Sequence, residues 1–90
     1  MKPIRWSEHA ARRIARREID GAEAELAVKR PDSILAAALN RRFYQRRYLD
    51  RVLNSQMLMR VLIEETDSEL VAVTLYKTSK FAKYEERGKA

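Results

Sequence analysis

Cysteine is absent from this 90-residue chain, which excludes a disulfide framework, a thiol nucleophile and a thiolate metal site. There is one histidine, His9, and a His-based zinc site needs more. Glycine and proline number two each, and no internal repeat or low-complexity stretch breaks the chain. No apolar run approaches the roughly 18 residues that a membrane-spanning helix requires. A chain this short buries only about two thirds of its unfolded surface, so a single domain over residues 1–90 is expected. Among what is present, 46% of residues are hydrophobic, and runs such as MLMRVLI and LVAVTLY can build a core, which argues against disorder. The 19 Lys and Arg outnumber the 13 Asp and Glu, giving a net charge of +6. That balance points to a polyanionic partner rather than a membrane.

The opening segment is Arg-rich and amphipathic in the manner of a mitochondrial presequence. Glu8, Glu18 and Asp20 are out of keeping with one, and no apolar leader is present. The expectation is an unprocessed, cytoplasmic protein. Ser7 is placed to cap a first helix, with Trp6 flanking it as a staple for Ala11. Ala10, Ala11, Ile14 and Ala15 form an apolar stripe, and Arg12, Arg13, Arg16 and Arg17 take the other side. Asp20 with Glu23 starts a second helix whose buried face is read as Ala22, Leu26 and the stem of Lys29. Pro31 ends it.

The last third reads as strand. Met57, Met59, Val61 and Ile63 are apolar at alternate positions, and so are Val71, Val73 and Leu75. Burying both sets on one face needs paired numbers with an even sum. A three- or five-residue loop centred on Ser68 then sets Val61 opposite Leu75, Ile63 opposite Val73, Arg60 opposite Tyr76 and Leu62 opposite Thr74. Between these thirds, SILAAAL and RRFYQRRYLDRVL read either as helix or as two strands, Ser33–Ala38 and Arg42–Tyr48, around a turn at Leu39–Arg41.

Positive charge gathers in two places. Residues 41–60 hold six Arg against one Asp, with Phe43, Tyr44 and Tyr48 among them, so Arg42, Arg46 and Arg47 are candidate nucleic-acid contacts. Residues 76–84 hold three Lys and three aromatics, which adds Lys83. Cations neutralise phosphates, and aromatic faces stack on unpaired bases for roughly 1–3 kcal/mol each. A solvated charged surface is the plainer account of the same runs. Arg12/Arg16 and Arg13/Arg17 are like-charge pairs one helical turn apart, which need an acidic neighbour inside the protein, an acidic partner or RNA to relieve them.

Three stretches resemble the RelE/ParE toxin superfamily, and within or beside it a family of small RelE-like domains. They are the helix start Ser7-Glu8-His9-Ala10 followed by Arg12 or Arg13, the run Met59–Glu65, and the closing Val73–Lys80 with Lys83-Tyr84. The resemblance favours strands in the ambiguous middle. It implies an α+β fold with two N-terminal helices packed on a four-stranded antiparallel sheet. It also implies a type II toxin that cleaves mRNA, on the ribosome in many relatives, and a cognate antitoxin. No metal or cofactor is expected, and a homodimer is compatible with the fold.

Under that resemblance the catalytic candidates are Arg60 as phosphate clamp, Lys77 or Lys80 as added charge, and Tyr84 or Tyr76 as proton-transfer group. His9 is the side-chain type most often used as a base, and packing or capping is its plainer role. Lys stands after the last strand where RelE-type enzymes often carry Arg. Relatives of ParE type inhibit gyrase instead, so a non-catalytic nucleic-acid- or protein-binding domain is the alternative, and a small structural homodimer a third.

Overall fold

The computed structural model describes residues 1–85. Its elements in chain order are β1 (Ile4–Trp6), α1 (Glu8–Ala15), α2 (Gly21–Lys29), β2 (Ser33–Ala36), β3 (Arg41–Asp50), β4 (Ser55–Glu65), β5 (Leu70–Thr78) and α3 (Phe81–Glu85). The strands form one sheet in the order β1-β5-β4-β3-β2. β1 runs parallel to β5, and the other neighbours are antiparallel. The four-stranded antiparallel sheet with two helices is thereby corrected to a five-stranded mixed sheet with three helices. The additional strand, Ile4–Trp6, is three residues long, too short to show an alternation. α3 is only five residues and carries no apolar period of its own.

Both helix starts form as their capping residues dictate. Ser7 Oγ accepts from Ala10 N, and Asp20 Oδ1 accepts from Ala22 N and Glu23 N. α2 does not bury the face read from its sequence. Ala24, Ala27 and Val28 are buried, whereas Leu26 is among the exposed apolar residues. Small side chains let the helix backbone sit close on β3 and β4, and a leucine there would hold it off.

The core lies between α1, α2 and one face of the sheet. It contains Ala10, Ala24, Ala27 and Val28 from the helices and Tyr44, Tyr48, Met57, Met59, Val61, Ile63 and Leu75 from the strands. The odd positions of β4 therefore face inward, as their alternation indicates. The middle segment is two strands, with Ser33 opposite Gln45 and Ala36 opposite Arg42.

Three of the four expected β4–β5 pairs occur: Arg60 with Tyr76, Val61 with Leu75, and Leu62 with Thr74. The fourth does not, because Ile63 pairs with Ala72 and leaves Val73 as the extra residue of a bulge. That residue changes the parity, so the loop is the four residues 66–69 rather than three or five. Ser7 occupies the bulge. Its Oγ donates to the Val73 carbonyl at 2.7 Å and its N–H to the Ala72 carbonyl at 3.0 Å. Ser7→Ala removes a helix cap and a bulge bond together, with an expected loss of about 2 kcal/mol. Urea unfolding measures it, and a loss near zero would mean that the hydroxyl serves neither partner.

Candidate nucleic-acid interface

The second face of the sheet carries neither α1 nor α2. Because β3 and β4 alternate, Phe43, Gln45 and Arg47 on β3 and Leu58, Arg60 and Leu62 on β4 turn away from the core. Ser33, Gln45, Arg60 and Tyr76 stand directly opposite one another from β2 to β5, forming a single polar row across four strands. α3 lies over this row and completes it with Tyr84.

Arg60 is the centre of the row and is 6% exposed. Its Nε donates to Gln45 Oε1 and its Nη1 to the Tyr76 hydroxyl. Gln45, fully buried, donates in turn from Nε2 to Ser33 Oγ at 3.1 Å. The guanidinium lies 3.8 Å from the Phe43 ring centroid and 4.1 Å from that of Tyr84, with Tyr76 at 5.5 Å. Tyr76 meets both other rings edge to face, at 6.3 and 6.2 Å. A planar cation held between aromatic faces gains quadrupole attraction and loses little freedom, because its two bonds already fix its plane.

The two phenols titrate in opposite directions. Burial raises Tyr76 above the ordinary tyrosine range, and the hydrogen bond with Tyr84 adds to this, while Arg60 opposes it. Tyr84 is lowered, first by the hydrogen bond from Tyr76 and then by the charges of Lys83 and Arg60. The outer tyrosine is thus the more acidic of the two phenols, and it lies next to a guanidinium.

At the rim, Arg47 pairs with Glu85, Nη2 to Oε1 at 2.6 Å, and lies 4.2 Å above the Phe81 ring. Lys83 stands 5.3 Å from the Tyr84 ring, and Lys80 lies in the turn before α3, its N–H bonded to Thr78 Oγ1. Beside Phe43 and Arg60 a groove of about 660 Å³ opens toward β2.

The other expected residues lie elsewhere. Lys77 is on the core side of β5, opposite Met59, where its ammonium is 2.7 Å from Asp50 Oδ2 in a cleft of about 330 Å³. His9 is exposed on α1, in the layer behind the sheet. Arg42 and Arg46 alternate with Phe43 and Arg47 and so face the helix side, where Arg46 Nη1 donates to the Arg30 carbonyl at the end of α2. Arg12 and Arg13 have internal acids. Arg12 pairs with Glu8 at 3.2 Å and Arg13 with Glu18 at 3.1 Å, and Arg13 also donates to the Leu75 carbonyl.

The charge of residues 41–60 is therefore divided between the two faces. Arg60, Tyr76 and Tyr84 come together, with Lys80, Lys83 and Arg47 at their rim. Gln45 and Asp50 had no signal in the sequence. Gln45 becomes visible only once register sets it opposite Arg60, and Asp50 only once the hairpin brings it to Lys77. No protein-family model, no curated protein and no solved structure matches this chain.

Proposed function

We propose that the chain is a RelE-like toxin of a type II toxin-antitoxin pair, a cytoplasmic endoribonuclease that cleaves mRNA without a metal ion. The observation that carries this reading is the Arg60–Tyr76–Tyr84 cluster on the sheet face free of α1 and α2, with a tyrosine made more acidic beside a guanidinium. Metal-free cleavage needs a base for the 2′-hydroxyl, a cation for the crowded phosphate and an acid for the leaving 5′-oxygen. Tyr84, as phenolate, accepts the 2′-hydroxyl proton, and the freed oxygen attacks phosphorus to form a cyclic phosphate. Arg60 offers the amino group its two internal bonds do not use to the phosphate oxygens. Lys80 or Lys83, at the rim, protonates the departing 5′-oxygen. A cognate antitoxin that masks this face is part of the same reading.

Tyr84→Phe is expected to lower cleavage by about 100-fold or more while leaving RNA affinity in place, since positioned acid–base groups contribute on that order. The wild-type rate should rise with pH as the phenol ionises, and the variant should lose that limb. Cleavage of a labelled RNA across a pH series, with filter binding in parallel, reads both. A second reading, a non-catalytic RNA-binding domain, draws on the burial of Arg60 to 6% exposure. Salt-dependent RNA binding with no cleavage by the wild type selects it.

A further inference from the structure

The two edges of the sheet differ in how they are guarded: β1, the edge beside β5, is three residues long and carries Arg5, whereas β2 carries no charge. β1 covers the first part of β5, and beyond it Ser7 and Arg13 take the carbonyls of Val73 and Leu75. β2 forms the opposite edge, with no strand outside it among the described residues. Edge strands are commonly guarded by charge or proline, yet residues 33–40 have neither in a chain of net charge +6. The Ala37 N–H donates to the Arg41 carbonyl, so residues 37 and 35 direct their backbone groups toward β3. Ile34 and Ala36, by alternation, direct theirs outward. Ile34 is 44% exposed.

We propose that the β2 edge binds a second copy of this chain, strand to strand and antiparallel, with Leu35 opposite its own counterpart on a two-fold axis. The outward groups of Ile34 and Ala36 then meet those of the second copy's Ala36 and Ile34, a large side chain against a small one. Asp32 faces Ala38, so no like charges oppose each other along the seam, and this selects a copy as occupant of an uncharged edge on a basic protein. One short strand per copy is a contact below roughly 1,200 Å², so the dimer is reversible and concentration-dependent. Its axis is perpendicular to the sheet, which puts both Arg60 rows on one face, roughly 25–30 Å apart.

Sedimentation of the full chain over a concentration series should show the mass moving from one copy toward two. Ala36→Pro removes an outward N–H and should hold the chain at one copy with its circular dichroism unchanged. Leu35→Cys, in a chain with no other cysteine, should form an interchain disulfide under mild oxidation, because directly opposed non-hydrogen-bonded residues lie about 4.5 Å apart. Val52→Cys, 91% exposed at the β3–β4 turn, should not. Should Ala36→Pro fail to fold, the two cysteine variants decide. The proposal is overturned if the wild type stays at one copy throughout, including when it carries a foreign strand on this edge. Equally, it is overturned by a dimer that survives in folded Ala36→Pro, or by cross-linking as rapid through Val52→Cys as through Leu35→Cys.

Discussion

Replacing Asp50 with alanine is expected to destabilise the protein by about 3 kcal/mol, the low end of the cost of breaking a buried ion pair. Asp50 is 6% exposed and uses both oxygens. Oδ1 accepts the Val52 and Leu53 N–H groups, each at 3.0 Å, and so closes the turn between β3 and β4. Oδ2 accepts Lys77 Nζ at 2.7 Å and the Tyr48 hydroxyl at 3.3 Å. Alanine strands all four donors. Water reaches some of them, since the Lys77 side chain is 27% exposed, which is why the low end applies. Asp50→Asn keeps the turn and loses the charge, so its loss should fall in between.

The same carboxyl gives the effect a pH signature. The hydrogen bond from Lys77, and then that from Leu53, hold Asp50 down from 3.8 to about 2. A folded value below the unfolded one stabilises the fold above about pH 4, and this stabilisation fades as pH falls toward 2. Urea midpoints measured between pH 2 and 5 should fall more steeply in the wild type than in Asp50→Ala. Equal slopes would remove Asp50 from the account of acid stability.

Arg60→Ala is expected to cost about 3 kcal/mol in stability as well as activity. It leaves the buried Gln45 carbonyl oxygen without its donor and opens a void between Phe43 and Tyr84. Arg60→Lys keeps the charge but not the planar fork, so it should recover less than half of the loss. The informative variant is the pair Arg60→Met with Gln45→Leu, which removes donor and acceptor together and should restore most of the stability but no cleavage. Thermal unfolding reads the first quantity and RNA cleavage the second. A double variant no more stable than Arg60→Ala would mean that the row is not held by this pair.

The elements whose sequence carried a period or a cap were legible. Ser7 and Asp20 start helices, and the odd residues of β4 face the core, because those signals are local. The Val73 bulge was not legible. Parity holds only along an unbroken ladder, and at the break Val73 is bonded by Ser7, remote in sequence. β1 was hidden for the same reason, since three residues become a strand only when β5 is there to pair with. The site divides along this line too. Arg60 and Tyr76 followed from register, and Tyr84 from the resemblance of the tail. Lys77 was misplaced beside them, because alternation after Tyr76 puts it on the other face. Arg42 and Arg46 sit one position out of phase with Phe43 and Arg47, so a cluster that is dense in sequence is split by the pleat.

The parallel pairing of β1 with β5 bears on the order in which the chain assembles. Ser7 and Val73 are 66 residues apart, yet the cap of α1 and the bulge of β5 share one hydroxyl. On a ribosome, the first dozen residues emerge long before their partner strand exists, while β3 and β4 can zip together around the Asp50 turn as soon as they appear. Closing so long a loop costs chain entropy before any contact repays it, and that slows folding. β1 and the cap of α1 therefore gain their sheet partners only after β5 has been made.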